Sequence, residues 1–391
     1  MFALPVQIPR SVRFALFYGA FYLGFGAYLP YMPVWYEARG LGPEMIGAAA
    51  AASMAGRMIA APLGAMMADR APKKQWAVLT YSLVSFFAFA AFVPATNPWA
   101  IIVLAGIAGG AFTGIMPIID AFAIQQSTRK KFAFGPPRAF GSATFILGNV
   151  GAGWLIGQLG GEAALGWTLI GAALAVLTAL MLPPGRNQPH LRPKSAQDHD
   201  GVLRAMISNG LPLAFAASAL IQGAHGFYYG FSAVAWRADG IPSSAVGLLW
   251  ATGVGAEIVF LTFSARLLDR VSPAMMLALG GAASILRWLA LALSPPLWLL
   301  FPLQLLHALS FSATYLGFLR YAADHSPQRF ASMAQAINSA FSGGLILALA
   351  AYASGFAFKA FGAGGFAIMA IPSGLGLICA LWLVHSSRTQ T

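Results

Sequence analysis

The chain has 391 residues, 59% hydrophobic and 9% charged, whereas a soluble domain carries about 25% charged residues, so a soluble globular fold is excluded. The net charge of +12 could suit nucleic acid, but the basic residues lie in short loops between apolar runs, where membrane topology accounts for them. The single cysteine, Cys379, excludes an internal disulfide and any cysteine-based metal site.

A membrane span needs roughly 20 apolar residues. Twelve such runs follow in order, at about 12–36, 44–68, 75–95, 98–124, 138–160, 163–182, 209–236, 245–268, 274–294, 297–322, 331–357 and 364–384. They predict an all-α integral membrane protein of twelve transmembrane helices. The first run, from about Phe14 to Tyr36, is too long for a signal-peptide core and lacks a cleavage pattern, so it reads as a retained span. The one long polar segment, PPGRNQPHLRPKSAQDHDG at 183–201, reads as a linker. It divides the chain into an N-terminal six-helix bundle (1–182), a cytoplasmic linker (183–207) and a C-terminal six-helix bundle (208–391).

An even number of spans puts both termini on one side. Arg39, Arg237 and Lys359 fall at the far face, Arg57 and Arg287 fall inside spans, and the remaining Lys and Arg share the face of the termini. The positive-inside bias makes that face cytoplasmic, and the expected location is a bacterial inner membrane.

The two halves repeat. Gly40, Ile46, Gly47, Asp69 and Arg70 recur 200 residues later as Gly240, Val246, Gly247, Asp269 and Arg270. At matching depth, Arg57 of the second span faces Glu257 of the eighth in the alignment, and Asp120 of the fourth span matches Arg320 of the tenth. Two halves running in the same direction are related by an axis along the membrane normal, with a substrate site between them near mid-depth.

An ionised carboxylate at the centre of a span costs about 2.5–3.5 kcal/mol, so Glu257 must face a cavity, pair with a cation or hold a proton. It lies about 11 residues from the cytoplasmic end of its span and Arg287 about 14 from that of the next, a depth difference of about 5 Å. With His307 they set a carboxylate, a guanidinium and an imidazole on three successive helices, which suits proton coupling. The alternative is a static ion pair. Arg57 has no nearby sequence partner in its own half and suits a substrate carboxylate, unless it pairs with a protein acid or carbonyls elsewhere. In the seventh span Gln222, His225 and Tyr229 fall at i, i+3 and i+7 and are expected to share a cavity-facing stripe, with Tyr228 turned toward the interface. Trp250 and Asn338 are further candidates to line the substrate site, Gln335 a weaker one. Asp120 and Arg138, at the cytoplasmic ends of the fourth and fifth spans, are expected to form a gating or orienting pair.

From Ala65 to Lys74 the sequence AMMADRAPKK resembles the loop signature G-x-L-A-D-R-x-G-R-K of the major facilitator superfamily, with Ala65 and Pro72 in place of its glycines. The stretches FGAYLPYMPVWYEARGLGPEMIG, FGPPRAFGS, LIQGAHGFYYGFSAVAWRADGIPSSAVGLLW and GVGAEIVF are similar to the 3-phenylpropionic acid transporter branch of that superfamily. The resemblance implies two pseudo-symmetric six-helix bundles, alternating access and proton-coupled uptake of aromatic carboxylates. It implies a cytoplasmic latch at Asp69 and Arg70, with repeat copies Asp269 and Arg270, and extends the gate set to Asp120, Arg138 and Arg320. The set Glu257, Arg287 and His307 is similar to that of lactose-permease relatives. The proline-after-glycine motif of drug antiporters is absent from the fifth span, where Asn149 follows Gly148, which argues against efflux.

The reading is a proton-coupled symporter for a small organic anion. A sugar or nucleoside carrier, with Arg57 bonding hydroxyls, is the alternative, and an efflux antiporter stands behind it. No nucleophile or metal motif suggests an enzyme. The expected partners are a small-molecule substrate, protons and lipid, with no cofactor, no metal, no nucleic acid, and a monomeric state.

Overall fold

The computed structural model describes residues 8–130, 132–185, 210–268, 270–325 and 328–388. Among these the chain makes twelve helical crossings. The first six are single helices: Arg10–Ala38, Pro43–Arg70, Lys74–Ala91, Pro98–Lys130, Gly135–Leu159 and Ala163–Met181. The seventh is split into Leu211–Gly223 and Gly226–Ala238, the eighth is Ser243–Leu268 and the ninth Pro273–Ala292. The tenth runs from Leu297–Leu305 through a π-helical turn, Ala308–Ala313, into Thr314–His325. The eleventh runs from Gln328–Ala340 through a second such turn, Phe341–Ile346, into Leu347–Phe361, and Ala370–Arg388 is the twelfth.

Large apolar side chains such as Trp99, Trp154, Ile371 and Trp382 stand on the outside, as helices bathed in lipid require. Nine described stretches have the length and hydropathy of a membrane span. That number undercounts the crossings for local reasons. Ala334–Ser386 is one continuous helical stretch although it crosses twice. The third helix opens on the polar pair Lys74-Gln75, and the seventh is broken into halves of 13 residues.

The expected continuous seventh span is therefore corrected to two helices, and the break has a chemical cause. Both the backbone N–H and the ring Nδ1 of His225 bond the Gln222 carbonyl, at 3.1 and 3.0 Å. That carbonyl is the one the N–H of Gly226 would take in an unbroken helix, and diverting it interrupts the ladder.

The repeat is written into the backbone. The first span ends with Gly40 at φ 78° and Leu41 N–H bonded to the Tyr36 carbonyl. The seventh ends with Gly240 at φ 83° and Ile241 N–H bonded to the Trp236 carbonyl. Both are the αL-glycine helix stop. Packing repeats as well. The first span packs on the fifth and sixth, the second on the fourth, and the third on the fourth and sixth. In the second half the seventh packs on the eleventh and twelfth, the eighth on the tenth, and the ninth on the tenth and twelfth. The fold is that of two pseudo-symmetric six-helix bundles. Most of the expected linker at 183–207 lies outside the described residues.

The helix ends near the termini are gathered on one face, where Arg10 bonds Gln126 and Arg13 bonds the Met181 carbonyl. Away from that face the bundles are sewn together. Arg237 pairs with Glu37 at 3.1 Å, Lys359 pairs with Glu44, and Tyr31 donates to the Ser243 carbonyl at 2.9 Å. Backbones touch there too: Gly47 meets Gly355 of the eleventh span, and its repeat copy Gly247 meets the Asn149 carbonyl of the fifth.

Candidate functional site

Between the bundles lies a cavity of about 580 Å³, within the range of small-molecule sites. Both halves line it with repeat-related residues: Tyr22 and Gln222, Tyr28 and Tyr228, Arg57 and Glu257, Arg138 and Asn338, Ser142 and Ser342. The axis that relates the halves thus passes through the cavity, and opposite chemistry sits at equivalent places around it.

In the N-terminal half Arg57 reaches the cavity from the middle of the second helix, with Nη1 passing near Gly343 of the eleventh-span π-turn. Among the described residues its guanidinium makes no hydrogen bond or ion pair, and Tyr22 and Tyr229 line the cavity with it. Asp120 accepts a 2.6 Å hydrogen bond from the Tyr18 hydroxyl and lies 3.9 Å from Arg138. The Arg138 guanidinium lies over the Tyr22 ring at 4.6 Å, so it is shared between a carboxylate and an aromatic face.

In the C-terminal half Glu257 and His307 line the cavity, with Glu257 Oε2 3.6 Å from His307 Nε2. Arg287 is fully buried behind them. It donates to His307 Nδ1 at 3.0 Å, Gln304 Oε1 at 2.8 Å and Ser310 Oγ at 3.4 Å. Its guanidinium also lies 4.5 Å from the Tyr228 ring and 4.8 Å from that of Trp288. The depth argument places Glu257 and Arg287 at similar levels; the structure puts His307 between them.

The expected stripe on the seventh span is only partly present. Gln222 and Tyr229 line the cavity. His225 is 0% exposed and does not, because the break turns it into its own bundle, where its ring meets Ser310 at 3.3 Å. Tyr228, expected at the interface, instead stacks on Trp250 at 4.5 Å in the cavity wall. Trp250 donates to Ser232 at 3.2 Å. Asn338 lines the cavity with a buried Oδ1 that has no partner among the described residues, and Gln335 lines it while bonding Tyr315.

The residues of the expected latch lie elsewhere. Asp69, Arg70 and Arg270 are exposed at the face of the termini, Arg320 donates to the Val271 carbonyl at 3.3 Å, and Asp269 falls outside the described residues. Tyr18, Tyr22, Gln304 and Ser310 were not expected. Tyr22 was within reach, because the 200-residue offset maps it onto Gln222.

Two repeated bundles with a polar, charged cavity between them have the architecture of a carrier, and sequence comparison identifies which. The model of the MFS_1 like family matches residues 11–368. The chain belongs to that family of the major facilitator superfamily. It is 30% identical over 367 residues to the "Probable 3-phenylpropionic acid transporter" of Escherichia coli (strain K12), covering 93% of this chain and 96% of the relative. It is 25% identical over 386 residues to the maltose permease of Geobacillus stearothermophilus, covering 97% and 96%. The solved nucleoside transporter NupG has the same fold, with a TM-score of 0.81 at 16% identity over 97% of this chain and 99% of that one. This chain is a multi-pass membrane transporter.

Proposed function

We propose that this transporter is a proton-coupled symporter that takes up a small organic anion, an aromatic carboxylate resembling 3-phenylpropionate. The observation that carries the reading is Arg57, a guanidinium lining the cavity with no ion pair among the described residues. A half-buried, planar five-donor cation is matched by two carboxylate oxygens. Tyr229 stands half-buried in the opposing wall beside Trp250, whose ring is stacked on Tyr228, and gives a substrate ring an aromatic neighbour. The relative named for 3-phenylpropionic acid supports the same substrate class.

Protons enter through Glu257, which shares the cavity with Arg57 but sits on the other bundle. A carboxyl there is neutral when protonated and costs less to carry through a closed intermediate than a bare charge. The cross-bundle contacts away from the face of the termini support the inward-facing state of a carrier with cytoplasmic termini. Asp120 and Arg138 orient the N-terminal side of the cavity. Asp69, Arg70, Arg270 and Arg320, with Asp269, belong to the gate that closes when the carrier turns outward.

A neutral sugar or nucleoside is the second reading, favoured by the amides of Gln222, Gln335 and Asn338 in the lining. Thermal-shift measurements on purified protein with 3-phenylpropionate, maltose and a nucleoside, repeated with Arg57→Gln, separate the two. Stabilisation by the acid alone, lost in the variant, supports the anion. Stabilisation by maltose or the nucleoside, retained in the variant, overturns it.

A further inference from the structure

Arg287 can only donate hydrogen bonds. Its Nη1 lies 3.0 Å from His307 Nδ1, so that nitrogen must present its lone pair. The ring's proton then sits on Nε2, the nitrogen 3.6 Å from Glu257 Oε2 and turned to the cavity. The separation is slightly beyond hydrogen-bond length, and a shift of a few tenths of an ångström closes it. Arg287 itself has little freedom to move, since the Tyr228 and Trp288 rings flank it and Gln304 and Ser310 take further donors. The neighbouring His225 has the opposite arrangement. Its Nδ1 faces the Gln222 carbonyl, an acceptor, so that nitrogen carries the proton and Nε2 accepts from Ser310.

We propose that Arg287 is a positioning residue that holds His307 in the Nε2–H tautomer, making His307 a fixed hydrogen-bond donor to Glu257 and not a carrier of charge. A second proton on His307 would have to land on Nδ1, against the guanidinium. The donor holds an ionised Glu257 through a charge-assisted bond and a protonated one only through its neutral carbonyl oxygen, so protonation loosens the carboxyl's hold on His307. The other charged and titratable groups around the pair are Tyr22 of the first span, His225, Tyr228 and Tyr229 of the seventh and Arg138 of the fifth, with Arg57 of the second lining the same cavity. Among the described residues, His307 Nδ1 has a hydrogen bond to Arg287 and to none of these groups. The coupling consequence rests on the proton-symport reading; the tautomer does not.

The test is nitrogen NMR of full-length, histidine-labelled protein in lipid bilayers across the pH range of transport. The chain has six histidines, and His307→Gln identifies the His307 signals. The expected spectrum shows His307 with Nε2 protonated and Nδ1 bare at every pH where uptake runs. In Arg287→Met an Nδ1–H or doubly protonated His307 is expected. An Nδ1–H or doubly protonated ring in the unaltered protein overturns the proposal, whether or not the Arg287 variant folds. Uptake gives the functional arm. His307→Gln, which keeps an N–H near Nε2, should hold pH-driven accumulation within about threefold of the parent, while His307→Ala loses about tenfold and shifts the pH profile. Equal losses in both variants, with unchanged profiles, overturn the positioning role. A parent protein that accumulates no acid under a pH gradient defeats the symport reading, and the NMR spectrum still decides the tautomer.

Discussion

Substituting Gly247 by alanine should unseat the seal between the bundles. A Cβ at Gly247 would stand 2.4 Å from the Asn149 carbonyl oxygen and 3.0 Å from the Tyr31 hydroxyl. The first is backbone of a facing helix, and the second is tethered to the Ser243 carbonyl at 2.9 Å, so neither gives way cheaply. Ordinary contact is roughly 3.5 Å, and the helices must part by about 1 Å to recover it. Overpacking of this kind costs about 1–3 kcal/mol. Because the clash exists only while the fifth and eighth spans touch, that cost falls on the sealed state alone and shifts its ratio to the open state about 5- to 150-fold. The assay is thiol labelling in a Cys379→Ser background carrying Ala50→Cys, a cavity-lining position 8% exposed. A membrane-impermeant reagent is applied from the side away from the termini. Labelling should accelerate with Gly247→Ala and stay unchanged with Gly255→Ala, on the same helix, where a Cβ meets nothing within 4 Å. Equal labelling in the two variants refutes the claim that this backbone contact seals the carrier.

Glu257→Gln should abolish pH-driven accumulation while leaving substrate exchange, measured as counterflow of labelled ligand; accumulation by that variant removes Glu257 from coupling. Arg57→Lys should weaken binding of an aromatic acid several-fold and Arg57→Ala about 10- to 100-fold, from the loss of charge-assisted hydrogen bonds; calorimetric titration at fixed pH measures both. Glu37→Arg should slow transport through repulsion from Arg237, and the charge-swapped pair Glu37→Arg with Arg237→Glu should restore it. Failure of the swap would mean that the pair is incidental to the seal.

The fold was legible because lipid leaves few choices. Apolar length fixed the number of crossings, and the 200-residue offset revealed the duplication before any helix was placed. That offset proved more informative than residue type: it pairs Arg138 with Asn338 and Tyr22 with Gln222, and all four line the cavity. Reading the site from one helical period failed where the helix is not regular. The i, i+3, i+7 stripe assumes an unbroken seventh span, but His225 diverts the carbonyl that would continue it, and so turns itself inward and Tyr228 toward the cavity. Depth arithmetic brought Glu257 and Arg287 to one level. It could not tell that the His307 ring would stand between them, since that depends on azimuth around three helices and on the π-turn that begins at Ala308.

The central claim is a proton gradient spent on moving an anion that Arg57 holds. Uptake of labelled 3-phenylpropionate into proteoliposomes tests it, with an imposed pH gradient and again with the gradient collapsed. Accumulation above equilibrium only under the gradient, absent in Glu257→Gln and reduced in Arg57→Lys, is the predicted result. Equal uptake with and without the gradient, or an Arg57 variant indistinguishable from the parent, would contradict it.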